Sequence, residues 1–552
     1  MPFGASLPLP LAPLAGRLSE SGVWLPGQLQ PLPVGAAEAD GFQLPPYLDR
    51  ESSLSAIERL DSFFSQAVAA IETVFFFEVA GVPLIVLWLL LGGIYFTLRT
   101  GFINLRGFRH ALKVLFGKED TSGGGPGEGE VSPFQAASTA LSATVGLGSI
   151  AGSAIAIQLG GPGAVIWMIL AGFLGMSSKF VECTLAQKYR LVRSDGTVAG
   201  GPMYYLANGI AELGWPTLGK SLAVLFALLC VAASLGAGNM FQANQSYAAL
   251  ANVVPYLAER SWLYGFAIAF LVGVVIVGGI SRIGAVTSRL VPVVVLGYVG
   301  GCIWILIDHA AIVPEALAIM LEQSVSPEAV QGGFVGVLVQ GIRRAAFSNG
   351  AGIGSAAIAH SATRNKEPVR EGMVASLEPL VDTIIICNLT ALSIVVTGVY
   401  QGSAAAQADG VELTAAAFGT VAGWLPVALA GAVLLFAFSN IISWSYYGEQ
   451  AWIYLFGDGS TLAFKVVFVV FVFIGSVVNL GAVLDFSDMM LLGMSVPNLL
   501  GCFLLAGKVG EDLRVYMYGL RLSKTLAATG EAESPTGATA NSEQPSKEPT
   551  QQ

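Results

Sequence analysis

The feature that most constrains this chain is a series of apolar runs, each close to the twenty or so residues that carry a helix across a bilayer. They lie at about 80–98, 134–158, 161–187, 219–250, 262–280, 284–307, 331–361, 371–398, 422–446, 463–481 and 483–505. A helix rises 1.5 Å per residue, so about 20 residues cover a hydrocarbon core of about 30 Å. Of 552 residues, 54% are hydrophobic and only 12% are charged, so these runs must be buried in lipid or in one another. The expectation is an all-α polytopic membrane protein of about eleven spans, placed in the plasma or inner membrane. Its first implied partner is the lipid bilayer.

The basic residues set the expected orientation. Arg99, Arg106, Arg109, Lys113 and Lys118 follow the first span, Lys188, Arg190 and Arg193 the third, Arg282 and Arg289 the fifth, Arg364, Lys366 and Arg370 the seventh, and Lys508, Arg514, Arg521 and Lys524 the last. The intervening loops are nearly free of them. Basic loops stay in the cytoplasm, so the N-terminus is expected outside and the C-terminus inside. The net charge of -10 reflects acidic loops and ends, and nothing in it points to nucleic acid.

The ends read differently from the middle. Residues 1–50 are rich in Pro, Leu and Ala without period and are expected to be a disordered leader. From 51 to 78, apolar positions at helical spacing face acids, which predicts an amphipathic helix on the membrane surface. Residues 79–133 hold one span and a basic cytoplasmic loop, and 134–307 and 331–505 hold five spans each. The tail 506–552 is expected to be cytoplasmic and disordered from about Ala527.

Two spans are interrupted. TVGLGSIAGSA, Thr144 to Ala154, and FSNGAGIGS, Phe347 to Ser355, each place three glycines and polar side chains inside apolar sequence, about two hundred residues apart. Glycine clusters can arise from close helix packing. Two at matching positions in halves of opposite orientation instead mark the broken helices of an inverted-repeat transporter, which are tolerated only where they line protein or water.

ALSATVGLGSIAGSAIAIQLGGPGAVIWMILAGFLGMSSKFVECTLAQKYR, AGGPMYYL, GAGNMFQANQ, GGISRIG, AFSNGAGIGSAAIAHSAT and SWSYYGEQAWIYLFG together resemble the alanine or glycine:cation symporter family, also called sodium:alanine symporters, over about Val74 to Arg521. The resemblance implies a LeuT-type fold of two inverted five-helix repeats preceded by one extra helix. The implied activity is import of small neutral amino acids, alanine and glycine, with sodium as coupling ion. A proton-coupled or other-solute symporter on the same fold is the alternative.

At the first break, the backbone of Val145, Leu147, Gly148, Ser149 and Ile150 is expected to leave the helical ladder. Helix N-termini suit a carboxylate and C-termini a cation. Leu147, Gly148 and Ser149 are therefore candidates for the amino acid, and the carbonyls of Val145 and Gly148 for sodium. Asn349 and Gly350 in the second break are candidates for the substrate ammonium. The fold's shared sodium site implies Ser439 and Asn440, although Ser439 reads equally as a back-bonded helix serine. Gln242, in a stripe of carboxamides at Asn239, Gln242, Asn244 and Gln245, is a further substrate candidate, with Phe241 or Met240 closing the pocket; the stripe reads equally as helix-to-helix hydrogen bonding, and Trp444 either caps the cavity or anchors at the interface.

Ionisable groups within spans are functional candidates. Asp382 is one, and a gate between it and Arg343 or Arg344 is an expectation; His360 reads as a helix-end residue, not a proton relay. The family usually has Asn where Ser149 stands and Glu where Gly350 and Ala345 stand, so this chain lacks polar groups beside its site. There is no HExxH, and the three histidines lack the setting of a hydrolase, so no enzyme is expected. No obligate protein partner is evident.

Overall fold

The computed structural model describes residues 78–79, 82–117, 129–325, 333–401, 408, 410–478 and 480–529. The expected leader, most of the expected surface helix and the tail beyond Thr529 lie outside them.

The helices used below are α1 (Leu84–Arg99), α2 (Pro133–Thr144), α3 (Leu147–Gly160), α4 (Ala164–Lys188), α5 (Pro216–Val253), α6 (Ser261–Ile276), α7 (Gly279–Asp308), α8 (Val313–Val325), α9 (Gly333–Asn349), α10 (Ser355–Ser361), α11 (Pro368–Thr397), α12 (Gly410–Gly419), α13 (Leu425–Phe456), α14 (Thr461–Val477) and α15 (Leu480–Thr529). Eight helical stretches among the described residues are long and apolar enough to cross a membrane, and α1 and α6 are shorter apolar helices. The eight include α2 with α3, which together occupy the second expected span; α9 and α10 occupy the seventh. α15 runs well past the expected end at 505, because AGKVGEDLRVYMYGLRLSK keeps good helix formers in register.

Caps and small residues set the arrangement. Ser132 accepts a hydrogen bond from the Gln135 amide (3.2 Å), and its own amide donates to Gln135 Oε1 (3.0 Å), so α2 begins with a capping box and Pro133 at its first position. This satisfies donors that a helix start leaves open. α4 runs through the centre, packed on α1, α9, α10 and α11. Its glycines allow that approach: a Cβ on Gly172 would lie 3.0 Å from Thr383 Cβ, and one on Gly175 only 2.8 Å from Ala351 Cβ. Small residues of this kind let membrane helices touch backbone to backbone. α13 packs against α2, α5 and α7, and α6 pairs with α14.

Among the described residues, three helices carry wide π-type turns, at Tyr205–Gly209, Gly236–Met240 and Leu380–Cys387. Such turns cluster at functional positions because they re-aim side chains. In α5 the second one brings Gly238 against the Trp444 ring, leaving no room for a Cβ.

Candidate functional site

The first break is short. Val145 N still donates to Leu141 O (2.6 Å), and Gly146 O accepts the amides of Ser149 (3.1 Å) and Ile150 (3.0 Å). The sequence expectation that Val145, Ser149 and Ile150 give up their amide bonds is therefore corrected. α3 restarts within a single turn, and the amides of Gly146, Leu147 and Gly148 are left without a backbone acceptor among the described residues. On the other side, the Ala143 carbonyl accepts Asn440 Nδ2 (2.9 Å) and Trp444 Nε1 (3.0 Å), which stand one turn apart on α13.

The second break needs glycine. Gly350, Gly352 and Gly354 take φ of 61°, 85° and 88°, a left-handed region that costs other residues about 1–2 kcal/mol. The irregular backbone is braced by side chains: Asn349 Oδ1 accepts the Ala351 amide (2.9 Å), Asn349 Nδ2 donates to Thr383 Oγ1 (2.9 Å), and Asn498 Nδ2 donates to Gly352 O (2.9 Å). The carbonyls of Phe347, Ser348 and Asn349 accept no backbone hydrogen bond among the described residues.

Asp382 joins the two breaks. It is fully buried in the wide turn of α11. Its Oδ1 accepts the Ser149 hydroxyl; its Oδ2 faces Ser348 Oγ at 2.5 Å and Thr383 Oγ1 at 2.9 Å. Ser348 Oγ also stands 3.2 Å from Ser149 Oγ. One carboxylate and three hydroxyls thus converge from α3, α9 and α11, and among the described residues no Lys, Arg or His lies within 4 Å of the carboxylate. A buried charge persists only when paired or ligated, so oxygens of this kind suit a hard monovalent cation.

The expected gate between Asp382 and the two arginines is a correction. Arg343 Nε lies 2.8 Å from Asp488 Oδ2 on α15, and Arg344 Nη2 bonds the same oxygen. Asp382 points the other way, into the hydroxyls. The Arg344 guanidinium also sits over the Phe347 ring, 5.3 Å from its centre.

Of the other candidates, Gly148 faces the second break: a Cβ there would lie 3.4 Å from Ser348 Cα and 3.6 Å from Phe347 O. Phe241 meets Phe347 edge to face at 5.2 Å. Leu147 and Val145 are buried beside them. Gln242 donates to Ala237 O in its own helix (3.0 Å), and its Oε1 is buried without a partner; so is Asn440 Oδ1. Ser439 donates back to Phe436 O (2.9 Å) and reaches no residue of the break. Trp444 is held at Ala143 and packs on Tyr447.

Sequence reasoning did not single out Ser348, Thr383 or Asp488. Ser348 and Thr383 carried a signal, as hydroxyls next to a break and next to a buried acid. Asp488 stands 144 residues from Arg344, and nothing local links them. His360 closes α10 as expected, but it is fully buried between Glu371 and Glu378.

Just ahead of α2, Glu130 N donates to Ala362 O (2.9 Å), Arg364 N donates to Val131 O (2.9 Å), and Val131 forms a parallel bridge with Thr363. The starts of α2 and the end of α10 are strapped together by backbone. Glu130 Oε1 accepts the Val198 amide (2.9 Å), and burial raises its carboxyl above the usual carboxylate range.

The model of the sodium:alanine symporter family matches residues 62–527. A sodium/alanine symporter, AgcS, of Methanococcus maripaludis is 37% identical over 432 residues, covering 78% of this chain and 93% of its own. An uncharacterized transporter of Haemophilus influenzae is 36% identical over 456 residues, covering 80% and 95%. Among solved structures, the crystal structure of MhsT in complex with L-phenylalanine is similar with a TM-score of 0.49 at 15% identity, covering 70% of this chain and 99% of that one.

Proposed function

Because the chain belongs to the sodium:alanine symporter family, we propose that it imports small neutral amino acids, alanine and glycine, with sodium by alternating access around the point where its two broken helices meet. It is a sodium-coupled amino acid symporter; the substrate, the residues and the orientation are the proposal. The observation that carries it is the buried Asp382 carboxylate, which faces hydroxyls from both breaks.

In this cycle the open amides of Leu147 and Gly148, at the positive end of α3, receive the substrate carboxylate. The open carbonyls of Phe347, Ser348 and Asn349, at the negative end of α9, receive its ammonium. Asp382, Ser149, Ser348 and Thr383 hold sodium in place of water. The Asn440 carboxamide oxygen and the carbonyls near Val145 are candidates for a second sodium. Phe241 and Phe347, edge to face, form an apolar wall beside Gly148, which suits a small side chain. The basic loops place the N-terminus outside and the C-terminus in the cytoplasm. On that orientation Arg343, Arg344 and Asp488 lie on the outer side of the break, and the strap between Val131 and Thr363 on the inner side.

The test is uptake of labelled alanine into proteoliposomes with sodium replaced by choline at fixed pH. Loss of concentrative uptake is expected; undiminished uptake would sink sodium coupling. A proton gradient that restores uptake in choline would assign the coupling to a proton instead.

A further inference from the structure

A second buried polar centre lies apart from the hydroxyl cage. His360 on α10 places Nδ1 at 2.5 Å from Glu371 Oε1, and Nε2 against Glu378 Oε1, both on α11. Glu378 Oε2 is 3.1 Å from Lys179 Nζ on α4. Glu371 Oε2 accepts Asn365 Nδ2 (3.1 Å), and Asn365 O accepts Gln187 Nε2 (2.5 Å). His360, Glu371, Glu378 and Lys179 are all at most 1% exposed.

The proton count follows from the donors. A neutral imidazole has one N–H and one lone pair, so it can satisfy only one of two carboxylates; its lone pair would face the other. Both contacts are satisfied only when the group holds one proton more than a neutral histidine with two carboxylates, either as imidazolium or as a carboxylic acid. The charge balance points the same way. Among the described residues, Glu371 and Glu378 oppose Lys179 alone in this buried cluster, and unbalanced buried charge is costly.

The groups on the elements packed against α10 leave this count unchanged. α4 brings Lys179, Glu182, Cys183 and, at its end, Lys188, which pairs with Asp512 (2.6 Å); α11 brings Arg370, Glu371, Glu378, Asp382 and Cys387; α13 brings Tyr446, Tyr447, Glu449 and Tyr454; the helix at Pro202–Tyr204 brings Tyr204; and α2 brings none. Arg190 donates to the carbonyls of Ser361 (2.9 Å), Thr363 and Asn365 (3.2 Å), beyond the end of α10. Glu182 Oε1 is occupied by Asn498 Nδ2 (2.8 Å).

We propose that Glu371, His360 and Glu378 form a proton-binding site, separate from the cation cage at Asp382, and that the bound proton latches α10 to α11. α10 is the half-helix whose far end is strapped to the start of α2, so the latch also steadies that strap. This inference does not rest on the transport reading, and its test uses no transport.

The purified full chain in detergent is melted across neutral to alkaline pH as wild type, His360→Gln and Glu371→Gln. A proton held by the folded state stabilises it below the unfolded histidine's titration, and that stability is lost as pH rises through the folded site's own titration. Wild type is expected to lose stability on the alkaline side in a step that His360→Gln lacks. The same step in His360→Gln overturns the proposal. Glu371→Gln keeps an acceptor for Nδ1 and removes one charge, so its step should move about 1–3 pH units lower; a step at the wild-type pH also overturns it. Should His360→Gln fail to fold, Glu371→Gln decides. Amide hydrogen exchange over residues 355–363, corrected for the intrinsic rate, reports the latch. Protection lost with the proton in wild type supports it, and protection unchanged across the step refutes it.

Discussion

Ser149 donates its hydroxyl to Asp382 across 233 residues of sequence, and with it one broken helix is fastened to the helix that supports the other. Asp382 brings the only formal charge to that cluster of oxygens. Asp382→Asn keeps the shape and removes the charge, and hydrogen bonds or ligand contacts to a charged group are worth about 1.5–3 kcal/mol. The sodium concentration for half-maximal alanine uptake is expected to rise by about 10–150-fold. Ser149→Ala deletes one hydroxyl and should raise it by about tenfold. Sodium titration of uptake checks both; an unchanged midpoint in Asp382→Asn means that sodium binds elsewhere.

Arg344 and Asp488 are buried partners, and the guanidinium also seats the Phe347 ring. Asp488→Asn would leave Arg344 as an uncompensated buried charge, a change that costs about 3–5 kcal/mol. Removing that charge as well, in the Asp488→Asn, Arg344→Met pair, should recover much of the loss because methionine fills similar space without needing a counter-charge. Thermal melting of the four chains in one detergent gives the cycle. Additive losses would mean that the two residues do not act as a pair.

The helices and the two breaks could be read from the chain because each has a local cause. Apolar runs of spanning length need no partner to be recognised, and Gly350, Gly352 and Gly354 announce a turn that other residues resist. Gly148 and Ser149 lie in the other such stretch. What the sequence hid depends on contacts between distant segments. Arg344 has an acid 38 residues away in Asp382 and another 144 residues away in Asp488; spacing favours the nearer one, but the wide turn of α11 aims Asp382 at Ser149 and Ser348. His360 looked like a helix-end residue because Glu371 and Glu378 flank it only once α11 folds back along α10.

Gly148 offers a test of where the substrate sits. A Cβ at this position would already be 3.4 Å from Ser348 Cα, so the branched side chain of Gly148→Val must fill the space between the two breaks or push them apart. Concentrative alanine uptake is expected to fall more than about tenfold, a barrier or binding change of about 1.4 kcal/mol or more, while membrane insertion and detergent-solubilised yield hold. Normal uptake by a well-folded variant would move the substrate site away from Gly148.

Gly350 separates backbone strain from charge. Its φ of 61° makes any side chain cost about 1–2 kcal/mol, so Gly350→Ala should lower the melting temperature. A Cβ at this position would lie 3.7 Å from Lys179 Nζ and 3.2 Å from Ser355 Oγ. Gly350→Glu carries the same strain, but its carboxylate can reach the Lys179 ammonium, which shares the buried cluster with Glu378. The glutamate variant is therefore expected to melt above the alanine variant, and Lys179→Met should abolish the difference. If alanine and glutamate melt alike in the wild-type background, the space beside Lys179 does not accept an acid. The glycine here would then be explained by its backbone alone.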